Sequence, residues 1–313
     1  MSFDFSAVKL PFRMQPGLRR LAPGAAQLTP IDTASRCFTD KLAVLSRHAE
    51  QALVCAPGFD AAPALRALAQ QAAAEHPEAF ACIGADRFDA LRLGWSLHAG
   101  QPLGSGPREI GDCLAALAPE WRLAALLSLS FAEDFAVIDG ATGHIPWLAV
   151  CLPSHWAPQD KVGRHFAQVH APVADNQMLL TASDHLARLV TGQERWERFV
   201  WTITRHSRLD THPRRCAPEP WSTHADADAL VAQAYFRTER QSFIPLPQQR
   251  QAVFVIHVEV QALADAITEP GQAQVLHDAL ASMSANVLAY RGLTDARERL
   301  LAWLAVRARQ RPE

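Results

Sequence analysis

Two histidines, His165 and His170, stand five positions apart in the stretch KVGRHFAQVHAPV at positions 161–173. A five-residue step turns a helix by about 500°, leaving the rings roughly 140° apart, and in a strand an odd step puts them on opposite faces. The pair is therefore poorly placed to grip one ion together. The His-Glu-x-x-His arrangement that brings two rings to one metal is absent from the chain. A metal at this stretch would take a single histidine nitrogen. That suffices for a haem, whose porphyrin fills four iron positions and leaves an axial one to the protein. His170 is the stronger candidate because Pro172 restricts both itself and Ala171 just behind it. Arg164 gives the neighbouring His165 an exposed or propionate-facing edge. The ordinary alternative for each is a loop histidine held by hydrogen bonds.

A second dense stretch is YFRTERQSFIPLP at 235–247. Read as a helix end, it puts Arg237 and Arg240 on one face, with Glu239 pointing elsewhere, free to face a ligand. Arginine forks suit carboxylates. The plainer reading is a solvated charged turn, although Tyr235, Phe236 and Phe243 fit a fully exposed turn badly. In AVFVIHVEV at 252–260, strand alternation groups Val253, Val255, His257 and Glu259, so His257 is a second ligand candidate or else a solvent-facing histidine. Glu133 and Asp134, just before a strand, make either an amine-binding pair or a surface turn.

Composition narrows the class. The 313 residues are 49% hydrophobic and 20% charged with a formal charge of −2, a globular balance that favours neither nucleic acid nor a membrane surface. No apolar run reaches the length of a bilayer span, since LAALLSLSFA stops at Glu133 and Asp134, and the first twenty residues lack a leader pattern. The six cysteines are scattered without Cys-x-x-Cys, which argues against an iron–sulfur cluster or structural zinc and fits reduced thiols in a cytoplasm. Phosphate-loop, dinucleotide-glycine and Gly-x-Ser-x-Gly patterns are also missing. Electrons drawn from a nucleotide would therefore come through another chain.

The elements that must position these residues follow from periodicity. Residues 1–35, rich in Pro and Gly, read as an extended arm over the body. Helical spacing covers 37–54, 61–76 and 113–130, interrupted at Pro119, and returns at 226–236, 271–290 and 293–309. Strands are expected at 135–139, 145–152, 198–205 and 252–260. Without a βαβ rhythm, this predicts an α+β unit over 36–313 built on an antiparallel sheet with flanking helices, with at most a weak boundary near 112.

Taken in order, FAEDFAVID, LPSHWAPQDKVGRHFAQVHAPV, RFVWTI and FRTERQSFIPLP resemble the family of haem-dependent oxidative N-demethylase alpha subunits, and FRMQPGLRRL and the helix before HPEAF extend the likeness over nearly the whole chain. The resemblance implies a PAS-like haem b domain that uses O2 to demethylate a small secondary amine such as dimethylamine. Electrons would reach it from NADPH through partner subunits with flavin and an iron–sulfur centre. A PAS-like fold equally serves a haem-binding sensor or a non-catalytic subunit. Carried over by position, the resemblance makes His170 the axial ligand, with Lys161 and His165 near it. It places Arg237, Glu239, Arg240 and Gln241 along the haem or substrate pocket, Glu239 and Arg240 nearest the chemistry. Ala174 and Val200 depart from the family pattern, which has proline and asparagine there, and both departures bear on the substrate pocket.

Overall fold

Long runs of β-branched and aromatic residues dominate the second half of the chain, and they assemble a sheet whose two faces do different work. The computed structural model describes residues 3–310. Its strands are β1 (Arg19–Arg20), β2 (Leu53–Cys55), β3 (Phe80–Ile83), β4 (Arg87–Ala90), β5 (Trp95–His98), β6 (Gln101–Gly104), β7 (Asp134–Asp139), β8 (Trp147–Ala149), β9 (Trp196–Thr204), β10 (Tyr235–Leu246) and β11 (Gln251–Ala262). Seven of them form one antiparallel sheet in the order β1-β9-β10-β11-β7-β8-β2, and β3 to β6 form a second, four-stranded antiparallel sheet. With the helices around them, this is an α+β fold.

The register of the large sheet decides which side chains meet. Glu239 on β10 lies opposite Val200 on β9 and Val258 on β11, and Gln241 lies opposite Arg198 and Ile256. Because side chains alternate along a strand, one face collects Arg237, Glu239 and Gln241 with Arg198, Val200 and Thr202. The other face of β7, β8 and β11 buries Val137, Trp147, Val253 and Val255 against Val44, Leu45, Leu65, Leu68, Leu126 and Leu127 of the helices Arg36–Arg47, Ala62–Glu75 and Pro119–Ser130. At the β9 and β10 end of that same face, Trp201, Ile203 and Phe236 meet the helices Pro270–Ala281, Ala285–Tyr290 and Arg297–Arg309 in a second core.

The stretch expected as a charged turn at a helix end is β10, twelve residues long. The helix before it spans only Ala227–Val231. Charges on both faces of β10 hide its period of two, so a three-residue spacing of arginines imitates a helix. The expected helix at 37–54 stops at Arg47, followed by the turn Ala49–Ala52 and β2. Pro119 starts a helix instead of breaking one, as its missing N–H is harmless in the first turn. Position 112 falls inside the helix Arg108–Ala116. The small sheet has no counterpart among the expected strands. Its tightest hairpin turns on Ala99 and Gly100, both at positive φ (48° and 74°), the geometry of a two-residue connection.

The N-terminal residues 3–35 run along this body. Phe3 and Phe5 pack on Phe236, Phe12 meets Trp201 edge-on, and β1 pairs with β9. Among the described residues no helix is long and apolar enough to cross a membrane.

Candidate functional site

Between the first face of the sheet and the segment 154–190 lies a cavity of about 620 Å³, within the range that encloses a cofactor or a small ligand. Ala136, Ile138, Ile145, Leu148, Leu186 and Phe254 supply apolar wall. Met14, Pro16 and Leu18 of the arm close one side.

His170 is the last residue of the short helix Phe166–His170 and lines the cavity. Its Nδ1 lies 2.8 Å from the Phe166 carbonyl. A carbonyl only accepts, so Nδ1 carries the proton and Nε2 keeps its lone pair. No hydrogen-bond partner for Nε2 is found among the described residues. Burial lowers the His170 pKa to about 4, which keeps the imidazole neutral at physiological pH. A neutral imidazole whose Nδ1–H is held by a backbone carbonyl is the form in which histidine ligates metals. Lys161 also lines the cavity; its Nζ donates to the Val169 carbonyl at 2.9 Å, and burial lowers its pKa.

His165 is placed otherwise. It caps the same helix, its Nδ1 accepting from the Ala167 N–H at 3.2 Å while Gln168 reaches back to its backbone N–H. Its Nε2 lies 3.1 Å from Asp184, and a Cβ at Gly143 would come within 2.3 Å of that nitrogen. The expected cofactor contact is not where this ring points, since both nitrogens are engaged and it is not among the cavity-lining residues.

The polar wall comes from β10. The Ser154 hydroxyl donates to the Glu239 carboxylate, whose other oxygen accepts from Gln241 Nε2 at 2.6 Å. Arg237 Nε donates to Ser154 Oγ at 2.8 Å, and its two terminal nitrogens reach the carbonyls of Arg208 (3.0 Å) and Leu209 (2.9 Å). Arg237 is thus consumed in holding two loops and aiming Ser154 at Glu239, instead of offering its fork to a propionate. Arg240, one residue later, points to the opposite face. There it bonds Glu197 at 2.9 Å and the Ala26 carbonyl at 2.9 Å, so the pocket-lining position expected for it is overturned by strand parity. The structure joins Glu239, Gln241, Arg237, Lys161 and His170 around one cavity and leaves Arg240 and His165 outside it.

The other sequence candidates lie away from the cavity lining. His257 Nδ1 is 2.8 Å from Glu133, which also accepts from the Thr29 N–H. Burial would raise the Glu133 carboxyl, but the His257 hydrogen bond and charge outweigh it and hold the group low. Asp134 lies 3.3 Å from the buried Lys41 Nζ and accepts from the Leu152 N–H. Glu133, Asp134 and His257 are therefore a structural network, which corrects both the amine-binding and the second-ligand expectations.

Three cavity groups escaped the sequence reading. Arg198 and Arg291 line the cavity, both half-buried, with the Arg198 Nε itself shut off from solvent. His155, held at φ 61°, has its ring tilted by 52° against that of His206, centres 5.2 Å apart, in the same lining. Arg198 had a signal, because RFVWTITR was recognised as an alternating strand and its first residue shares the face of Val200 and Thr202.

A neutral histidine with a free Nε2, facing a largely apolar cavity with a carboxylate on the opposite wall, defines a prosthetic-group or ligand-binding α+β protein. The donor set fits a haem: one axial nitrogen, apolar walls for the macrocycle, and half-buried cationic groups for its carboxylates. The sequence profile of the family described as "Haem-dependent oxidative N-demethylase, alpha subunit-like" matches residues 31–301, and the chain belongs to that family.

Proposed function

We propose that this chain is a haem-dependent oxygenase that removes a methyl group from a small secondary amine of the dimethylamine type, with haem b held by His170. The observation that carries the reading is the His170 geometry, with Nδ1–H fixed on the Phe166 carbonyl and Nε2 open to the cavity. Bound haem would supply oxygen activation; the net change is amine, O2, two electrons and two protons going to primary amine, formaldehyde and water. The electrons come from partner subunits, which we take to bear flavin and an iron–sulfur centre; the alpha-subunit description of the family supports the existence of further subunits.

The protein's own part is positional. Glu239 pairs with the ammonium form of the substrate or passes a proton, and Ser154 and Gln241 fix both of its oxygens. Arg237 holds Ser154 in place. Lys161 braces the Val169 carbonyl beside the ligand helix. Val200, across the strand pair from Glu239, gives the substrate an apolar contact. Arg240 and His165 support the sheet edge and the helix start from outside the cavity.

The test is an absorption spectrum of the haem-supplemented chain, oxidised, reduced and with carbon monoxide, followed by a formaldehyde assay with dimethylamine and an electron donor. A stoichiometric Soret band that moves in His170→Ala, with formaldehyde made by the wild type, is the expected result. A band without formaldehyde identifies a haem sensor or carrier, and no band identifies a cofactor-free subunit. Glu239→Gln is expected to keep the band and lower turnover by about 100-fold or more, as for loss of a general acid–base group.

A further inference from the structure

Two arginines in the cavity lack the anions their burial calls for. Arg198 makes no hydrogen bond among the described residues, and its Nε is buried without a partner. The carboxylate in its electrostatic reach is Glu239, whose two oxygens already accept from Ser154 and Gln241. Arg291 donates to the Trp201 carbonyl and touches the Met14 sulfur at 3.9 Å. Its guanidinium lies 4.6 Å from the Phe12 ring centre and 5.5 Å from that of Trp201. Burial pulls its pKa down to about 10, and the positive charge of Arg198 acts in the same direction. Two half-buried cations that repel one another across a cavity wall are held at a cost that an anion between them would relieve.

We propose that Arg198 and Arg291 form a carboxylate-binding subsite of the cavity. A planar guanidinium accepts a carboxylate through two parallel N–H donors, and the orphaned Arg198 Nε is one such donor. Two ligands carry this chemistry: a haem, through its propionates, and a secondary amine that bears its own carboxylate. Only the first depends on the haem reading. In the second, Glu239 receives the ammonium end and the arginines the acid end, so the substrate is an N-methyl amino acid instead of a simple dialkylamine.

The full-length ligand-free chain is titrated with haemin and with haemin dimethyl ester, in wild type, Arg198→Gln, Arg291→Gln and Arg198→Lys. If propionates occupy the subsite, wild type prefers haemin by about tenfold or more, the weight of one charge-assisted pair. Each Gln variant then brings the ratio close to one, Arg198→Lys keeps part of it, and the His170-dependent Soret position is retained. If a substrate acid occupies it, the ratio is the same in all four proteins. N-methylglycine, but not dimethylamine, then shifts the wild-type Soret band, and the Gln variants lose that shift. Variants that keep both the wild-type ratio and the wild-type N-methylglycine response overturn the proposal. So does a ligand-free Arg198→Gln that melts several degrees below wild type, since removing a half-buried charge whose Nε has no partner should leave the melting temperature equal or higher. A wild type that takes up no haemin removes the haem reading alone. The subsite then stands on calorimetric N-methylglycine binding that Arg198→Gln abolishes, and falls without it.

Discussion

A histidine can serve a metal only while neutral, and the burial that keeps His170 neutral also makes it a source of acid lability. Its pKa falls from 6.5 to about 4 on folding. Between those values the unfolded chain binds a proton that the folded chain does not, so stability rises with pH across the window and is lost as pH falls through it. For the ligand-free protein this one ring contributes up to about 3 kcal/mol. Urea midpoints of wild type and His170→Gln, measured from pH 7 to pH 4, should converge toward the acid end. Parallel curves would mean that the ring titrates normally. The sequence singled out this histidine through the proline behind it, but the Phe166 carbonyl that selects its tautomer is a contact one helical turn away, fixed only by where that helix ends.

At the scale of the element, β10 shows what a sequence hides and why. Its charges Arg237, Glu239 and Arg240 were all visible as candidates, and the family pattern grouped them. Their separation into two faces is a matter of strand parity, and that becomes legible only once the segment is known to be a strand. The four-stranded sheet stayed hidden for a different reason, because its strands are four residues long and too short to show a period. The Arg237 arrangement makes a prediction of its own. Arg237→Met leaves the carbonyls of Arg208 and Leu209 without donors and frees Ser154, so it should lower the unfolding free energy by about 2–5 kcal/mol, read from urea denaturation. Arg240→Met leaves Glu197 on the opposite face with Arg19 as its remaining ion-pair partner; it should destabilise the sheet while leaving the Soret position of the haem-loaded protein unchanged.

At the scale of the whole molecule, the cavity is closed by a segment far from it in sequence. Met14, Pro16 and Leu18 line it, and Phe3, Phe5 and Phe12 fasten the arm to Phe236 and Trp201. Removing residues 1–18 should leave the far-ultraviolet circular dichroism nearly unchanged, because the large sheet loses no strand, yet speed haem transfer to an acceptor such as apomyoglobin by about tenfold or more, roughly the weight of one or two lost apolar contacts. Equal transfer rates would show that the arm is not a closure.

The pairing of Arg19 with Glu197, 178 positions apart, also sets an order of events during synthesis. The arm leaves the ribosome before β9 and has nothing to dock on until β9 has followed it. The cavity it closes is finished later still, when Arg291 and Gly292 arrive. Whatever occupies this site therefore meets a finished cavity only after residues 291 and 292 have been made, and the earlier stages of translation offer no foothold for loading it.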